Sequence, residues 1–141
     1  MEYLVQTLTR GNVTEVKVVL ASVAAALAVY QLVLIAVGYG KVRLPFLAPA
    51  PAARAHRASG DAIVVIAILV ALMCLSVFGF DDDGGAHAIA GVALLSLIAV
   101  KVAIVRRGRA SGRYLPLLGI GVFVLFALTW ATSAGDFLAA R

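Results

Sequence analysis

The chain alternates long apolar stretches with short polar segments. Four of the apolar stretches are long and almost free of charge: residues 18–37, 62–80, 86–105 and 114–134. A helix of about 20 residues crosses the ~30 Å hydrocarbon core of a bilayer, where backbone groups must be bonded within their own segment. The pattern therefore predicts an all-α integral membrane protein, in which a single domain forms a four-helix transmembrane bundle.

Polar and helix-breaking residues mark the ends of the predicted spans. Asn12 with Glu15 resembles a helix start before the first span, and Ser59 resembles one before the second. Pro116 fits the first turn of the fourth span, where its missing N–H costs no hydrogen bond. The connector after the first span contains Pro45, Pro49 and Pro51. A helix interior does not tolerate such residues, so we expect this connector to be extended rather than one continuous helix.

The charges of the loops predict an orientation. Loops 38–61 and 106–113 together contain eight basic residues: Lys41, Arg43, Arg54, Arg57, Arg106, Arg107, Arg109 and Arg113. The turn between the second and third spans contains Asp81, Asp82 and Asp83 and has no positive charge. By the positive-inside rule, both basic loops are cytoplasmic and both termini lie outside a plasma membrane.

Composition narrows the possible partners. Apolar residues make up 63% of the chain and charged residues 13%, whereas about 25% is usual for charged residues in soluble domains. The net charge is +5, and the basic residues flank apolar spans. This placement favours an anionic lipid surface over nucleic acid. The expected partners are the lipid bilayer and, as open alternatives, a larger membrane complex or a second copy of the chain.

Two histidines and one methionine are the candidates for cofactor chemistry. Histidine is a common haem ligand, although His56 and His87 are equally consistent with a place at the membrane interfaces. They flank antiparallel spans at opposite faces, ~30 Å apart, so the two cannot ligate one iron. If the acidic turn partly continues either helix, Met73 reaches a depth similar to that of His87. We therefore predict His87 and Met73 as haem iron ligands, with plain packing as the alternative for Met73.

Lys101 lies inside the third predicted span and allows two interpretations. Its long stem can snorkel to the inner surface, or its ammonium can face the bundle and pair with a haem propionate, a quinone or an anionic lipid headgroup. A pair with Asp61 across two helices is a third, structural option. Four further polar residues in the spans are expected to form hydrogen bonds between helices: Gln31, Thr129, Thr132 and Ser133.

Three parts of the chain resemble small four-helix membrane cytochromes. They are AHRASG at 55–60, HAIAG at 87–91 with VKV at 100–102, and LTWATSA at 128–134. These segments are similar to those of the cytochrome b561 and ferric-reductase-like transmembrane group, and in particular to a bacterial family of four-helix proteins. The resemblance extends over about residues 12–137.

The resemblance implies haem b held between the inner helices and electron transfer in or across the membrane, with a redox partner. It places a histidine of the second span opposite that of the third, but Met73 stands at that position. The expected function is that of a small b-type cytochrome-like electron carrier or subunit rather than a stand-alone enzyme. The alternative is a non-catalytic membrane anchor or accessory subunit that binds a partner protein or lipid.

Overall fold

The described part of the chain is built almost entirely from helices. The computed structural model describes residues 2–77, 85–107 and 114–140, and no strand element occurs in them. Four long helices dominate: α2 (Val13–Gly38), α3 (Pro49–Val77), α4 (Gly85–Arg107) and α5 (Leu115–Trp130). The prediction of an all-α fold with four helices long enough to span a membrane is confirmed.

Shorter helical segments lie at the two ends of the chain. α1 (Glu2–Leu8) precedes the first long helix, and α5 continues through a π-helical turn (Ala131–Gly135) into α6 (Asp136–Ala139). The sequence pattern did not predict α1, because this segment is too short and too polar for a span. Its presence leaves the number of long helices unchanged.

The surface of the bundle is apolar around its middle. Each long helix, with α5 taken through α6, contains a stretch with a mean hydropathy between 2.0 and 2.6. Large apolar side chains point away from the bundle on different helices, among them Val65, Val92 and Val124, which are 57%, 56% and 57% exposed. Soluble proteins rarely expose such continuous apolar surface, whereas hydrocarbon solvates it readily. The chain is therefore a multi-pass membrane protein.

The long helices pack as two hairpins. α2 lies along α3 and α4 lies along α5, while α3 and α4 contact each other over only a short stretch. A central cluster holds the hairpins together with buried side chains from all four helices: Ala24, Ile63, Leu94, Ile98 and Phe126. The contact between α3 and α4 is thus the weakest one between neighbours in the bundle.

Two glycines of the α4–α5 hairpin have different surroundings. A Cβ atom on Gly121 would lie 2.9 Å from Cδ2 of Leu97, so the close contact of α4 with α5 depends on this glycine. Small residues let helices approach closely in lipid, so the sequence predicts close helix contacts at Gly91 as well as at Gly121, but a Cβ on Gly91 would meet nothing within 4 Å. The expectation is right at Gly121 and wrong at Gly91, which borders open space.

The connector after the first span differs from its prediction. Residues 49–61 are the first turns of α3, so an extended connector as far as residue 61 is wrong. Pro49 and Pro51 lie in the first turn, where a missing N–H costs nothing, and the alanine-rich segment that follows favours a helix. Ser59 does not start the helix; inside it, Oγ of Ser59 donates to the carbonyl oxygen of Ala55 at 2.7 Å.

The other helix boundaries differ from the predicted spans by a few residues or lie outside the described part of the chain. α2 begins at Val13, earlier than the predicted residue 18, and Asn12 precedes it without a side-chain capping bond. The acidic turn, with Phe80 at the predicted end of the second span, lies outside the described residues, as does 108–113 of the second basic loop. Arg106 and Arg107, which were assigned to that loop, lie in the last turn of α4.

The two glycine environments predict opposite effects of substitution. Gly121→Val forces a shift of Leu97 and should lower the free energy of unfolding by about 1–3 kcal/mol, as overpacking typically does. Gly91→Ala adds a methyl group to open space and should raise it by about 0.5–1 kcal/mol, because glycine inside a helix is less favourable than alanine. Unfolding in mixed micelles, followed by circular dichroism, measures both changes. Equal shifts for the two variants would contradict this packing.

Candidate functional site

A cavity of about 180 Å³ lies between α3 and α4, in the half of the bundle where α3 ends and α4 begins. Short side chains line both sides of the gap, Ala67 and Ala71 on α3 and Ala88 and Gly91 on α4. They recur at intervals of three or four residues and therefore share one helix face. Because they are too short to meet, the helices leave a gap, which we call the His87 cleft after its histidine.

The His87 cleft is open on one side. Leu75 on α3 and Val92 on α4 both line it, yet they are 48% and 56% exposed. In a membrane, the exposed faces of α3 and α4 at this level border the lipid. A molecule dissolved in the bilayer can therefore enter between these two side chains without crossing water.

The hydrogen bond of His87 with Thr132 favours one tautomer of the ring. Its Nδ1 lies 3.2 Å from Oγ1 of Thr132, in the π-helical turn that follows α5. That hydroxyl already donates its hydrogen to the carbonyl oxygen of Leu128 at 2.9 Å. We therefore assign the hydroxyl oxygen as the acceptor and place the proton on Nδ1 of His87. Nε2 of the neutral ring is left with a lone pair.

The hydroxyl and indole groups of the cleft also donate their hydrogens within the protein. Oγ1 of Thr129 donates to the carbonyl oxygen of Phe126 at 2.9 Å, and Oγ of Ser133 donates to that of Thr129 at 3.1 Å. Nε1 of Trp130 donates to Oγ of Ser22 at 3.2 Å. Nε2 of His87 and the hydroxyl oxygens of Thr129 and Ser133 therefore offer lone pairs, and a ligand that hydrogen-bonds to them must be the donor.

The residues fit the expected haem only in part. His87 lines the cleft, but Met73, which is 8% exposed, is not among the residues that line it. Enclosed cofactor sites usually have roughly 300–1,000 Å³, more than this cleft provides. Among the described residues, no group of three or more His, Cys, Asp and Glu side chains could hold a metal ion. Met73 does not line the cleft together with His87, and haem binding by this pair stays a prediction.

His56 and Lys101 lie together at the other end of the bundle. They are close enough to interact electrostatically, and neither lines the His87 cleft. A Cβ on Gly119 would lie 3.9 Å from Nζ of Lys101, so this ammonium faces α5 rather than the lipid. No ion pair with Asp61 forms in the part of the chain that the structure describes, and Asp61 is exposed.

Sequence reasoning found some of the cleft's polar residues but not their roles. Thr132 was expected to bond between helices, and it accepts from His87 on α4. Gln31, expected to do the same, bridges α2 and α3 by donating to the carbonyl oxygen of His56 and to Oγ of Ser59. Thr129 and Ser133, in contrast, donate to carbonyl oxygens of their own helix.

Cys74 is the residue of the cleft that sequence reasoning passed over. It is half-buried and lines the cleft, where its thiol is a weak donor. In the sequence, the one indication that Cys74 could line the cleft is its position next to Met73, a predicted ligand. Neighbouring residues of a helix point about 100° apart, and that rotation brings Cys74 rather than Met73 to the cleft.

The hydroxyl of Thr132 should control the tautomer of His87. Thr132→Val removes the acceptor and should reduce the fraction of His87 with the proton on Nδ1, while Thr132→Ser keeps the oxygen and should preserve it. The ¹⁵N chemical shifts of the labelled imidazole report both nitrogens. If all three proteins show the same tautomer, the hydrogen bond does not set it.

Comparison with known proteins identifies a family whose function is unknown. No curated protein and no solved structure matches the chain. A family described as a family of unknown function (DUF6529) matches residues 3–141, which is nearly the whole length. No relationship to the cytochrome b561 group is shown by this match. The chain belongs to the DUF6529 family.

Proposed function

We propose that this protein is an accessory membrane subunit that binds a lipid-soluble ligand, whose ring-sized headgroup carries a hydroxyl and occupies the His87 cleft. The chemical class that fits is that of phenols and hydroquinones. The proposal rests on the hydrogen-bond acceptors that line this apolar cleft, of which Nε2 of His87 is the strongest.

The volume of the cleft supports a ring of this size. An apolar protein cavity of roughly 150 Å³ is known to accommodate benzene, and the His87 cleft has about 180 Å³. Alanine side chains, Leu75 and Val92 would contact the ring. The opening between Leu75 and Val92 would let an apolar tail extend into the bilayer while the ring stays inside.

The polar end of the cleft gives the ligand its orientation. A hydroxyl on the ring would donate to Nε2 of His87, because Nδ1 is already bonded to Thr132. The oxygens of Thr129 and Ser133 would accept from a further donor on the ligand. Neutral histidine can accept a proton as well as a hydrogen bond, so the same contact could hold a proton released by the ligand.

Fluorescence of Trp130 tests this binding directly. Trp130 is the single tryptophan of the chain and lines the cleft. In lipid nanodiscs, an alkyl hydroquinone should quench it saturably, and its dimethyl ether, which has no donor, should bind about tenfold more weakly, as expected for loss of a hydrogen bond of ~1.4 kcal/mol. His87→Leu should remove the difference between the two probes.

The matched control is His56→Leu, which removes the other histidine at the far end of the bundle and should leave quenching unchanged. Two results would contradict the proposal. One is equal affinity of the wild type for both probes. The other is non-saturable quenching that His87→Leu leaves unaltered, which would show that the probes act from the lipid.

Haem-dependent electron transfer is the second candidate, and one observation favours it. Histidines that ligate metals usually donate from the other ring nitrogen to a neighbouring group, as Nδ1 of His87 does to Thr132. Haem, when bound, supplies one-electron chemistry. His87 is the candidate ligand in the cleft, and the second ligand would have to come from a rearranged Met73 or from another subunit.

The visible spectrum of the purified protein tests this second candidate. Haem-replete cells should yield a protein with a Soret band at near-stoichiometric haem, and His87→Ala should abolish that band, whereas His56→Ala should not. A folded, colourless wild type would exclude the cytochrome and leave the binding of the hydroxylated ring untouched, so the two candidates are distinguishable.

A further inference from the structure

A second cluster of polar groups lies where α3 begins and α4 ends. We call it the Lys101 cluster, and its members are Gln31, His56, Ser59 and Lys101. It is separate from the His87 cleft, since none of the four lines that cavity. Two of its groups have no partner that accounts for their position.

The first of these groups is the ammonium of Lys101. The residue is half-buried, and its Nζ lies beside Gly119. Within the described residues it forms no ion pair, although a charged group at membrane depth normally has a partner or faces a water-filled cavity. The ammonium therefore requires an anion that the described residues do not provide.

The second group is Nδ1 of His56, which is buried without a hydrogen-bond partner. A buried polar atom with no partner is costly, and native proteins seldom leave one without a compensating contact. Because α3 begins and α4 ends at the same end of the bundle, Nδ1 of His56 and the ammonium of Lys101 belong to one region, and their electrostatic interaction agrees with this. A group that accepts hydrogen bonds from both would satisfy the two at once.

The surroundings hold His56 in place. Gln31 is 9% exposed, and its Nε2 donates to the carbonyl oxygen of His56 at 2.9 Å and to Oγ of Ser59 at 3.1 Å. Gly60 makes room for this amide, because a Cβ there would lie 3.2 Å from Nε2. These bonds fix the backbone at His56, and the backbone of Gln31 also contacts the imidazole, while Nδ1 of the ring has no hydrogen-bond partner.

The cluster lies near one end of the apolar part of the bundle. His56 lies in the part of α3 that precedes the apolar run starting at residue 62, and therefore near the membrane interface. Lys101 lies about 9 Å before the end of α4 at Arg107. Exposed basic side chains surround this end of the bundle: Arg54, Arg57, Arg106 and Arg107.

We propose that the Lys101 cluster binds the phosphoryl group of an anionic phospholipid, with Nζ of Lys101 and Nδ1 of His56 as its donors. Basic pockets between transmembrane helices are known to bind such headgroups. The exposed arginines attract anionic lipids to this end of the bundle, and the two inward-facing groups select one of them. A free phosphate ion has the same chemistry and is the other possible source.

Native mass spectrometry of the full chain in detergent tests this site. The wild type should retain one phosphatidylglycerol in preference to phosphatidylcholine. Lys101→Met should weaken retention about tenfold, the effect of losing a charged hydrogen bond, whereas Lys101→Arg should retain the lipid. His56→Asn keeps an amide near the position of Nδ1 and should bind better than His56→Leu.

Arg106→Gln is the matched control, because it removes one exposed charge at the same end. If it weakens retention as much as Lys101→Met, binding follows diffuse surface charge and the proposal is overturned. A wild type that does not prefer phosphatidylglycerol over phosphatidylcholine overturns it as well, whatever the variants do.

Inorganic phosphate separates the two sources of the phosphoryl group. Competition with phosphatidylglycerol in the wild type, lost in Lys101→Met, would show that the phosphoryl group alone is sufficient and that the site also accepts a soluble ion. Retention that resists phosphate would show that the acyl chains contribute and that the occupant is a lipid. Both results support the site, and circular dichroism establishes that each variant is folded.

Discussion

The whole structure depends on the solvation of apolar helix surfaces by hydrocarbon. Each long helix satisfies its own backbone hydrogen bonds and exposes valine, leucine and isoleucine along its outer face. In water this surface would drive aggregation, and in lipid it costs little. The same solvent removes the hydrophobic force that would otherwise hold the helices together. Packing detail and a few polar contacts therefore decide where the helices meet.

The two candidate sites follow from this balance. Where Gly121 lets α4 approach α5, the helices pack closely, and where Gly91 faces alanines across a gap, they separate and form the His87 cleft. Polar residues cluster at the two ends of the bundle, His87 and Thr132 at one and His56 with Lys101 at the other. At the first, the protein offers hydrogen-bond acceptors; at the second, it offers donors. The sites therefore suit ligands of opposite character.

The sequence predicted the helices better than the sites, and there are physical reasons for the difference. Long uncharged runs can only be helical spans, but the rotation of each helix about its axis is set by packing. A rotation of about 100° about the helix axis decides whether Met73 or Cys74 faces the cleft, and the hydropathy pattern does not determine this rotation. The start of α3 at Pro49 was missed because proline is a helix breaker in the interior and harmless in the first turn. The pairing of His87 with Thr132 joins residues far apart in the chain and has no local signal.

Spin-label accessibility at the outer faces of the helices tests the central claim most directly. In a Cys74→Ser background, the chain has no other cysteine, and single labels at Val65, Val92 and Val124 report the surroundings of α3, α4 and α5. In lipid vesicles, molecular oxygen should relax all three labels much more strongly than a water-soluble nickel chelate does. Preferential relaxation by the nickel chelate at these positions would place the helices in water and contradict the account.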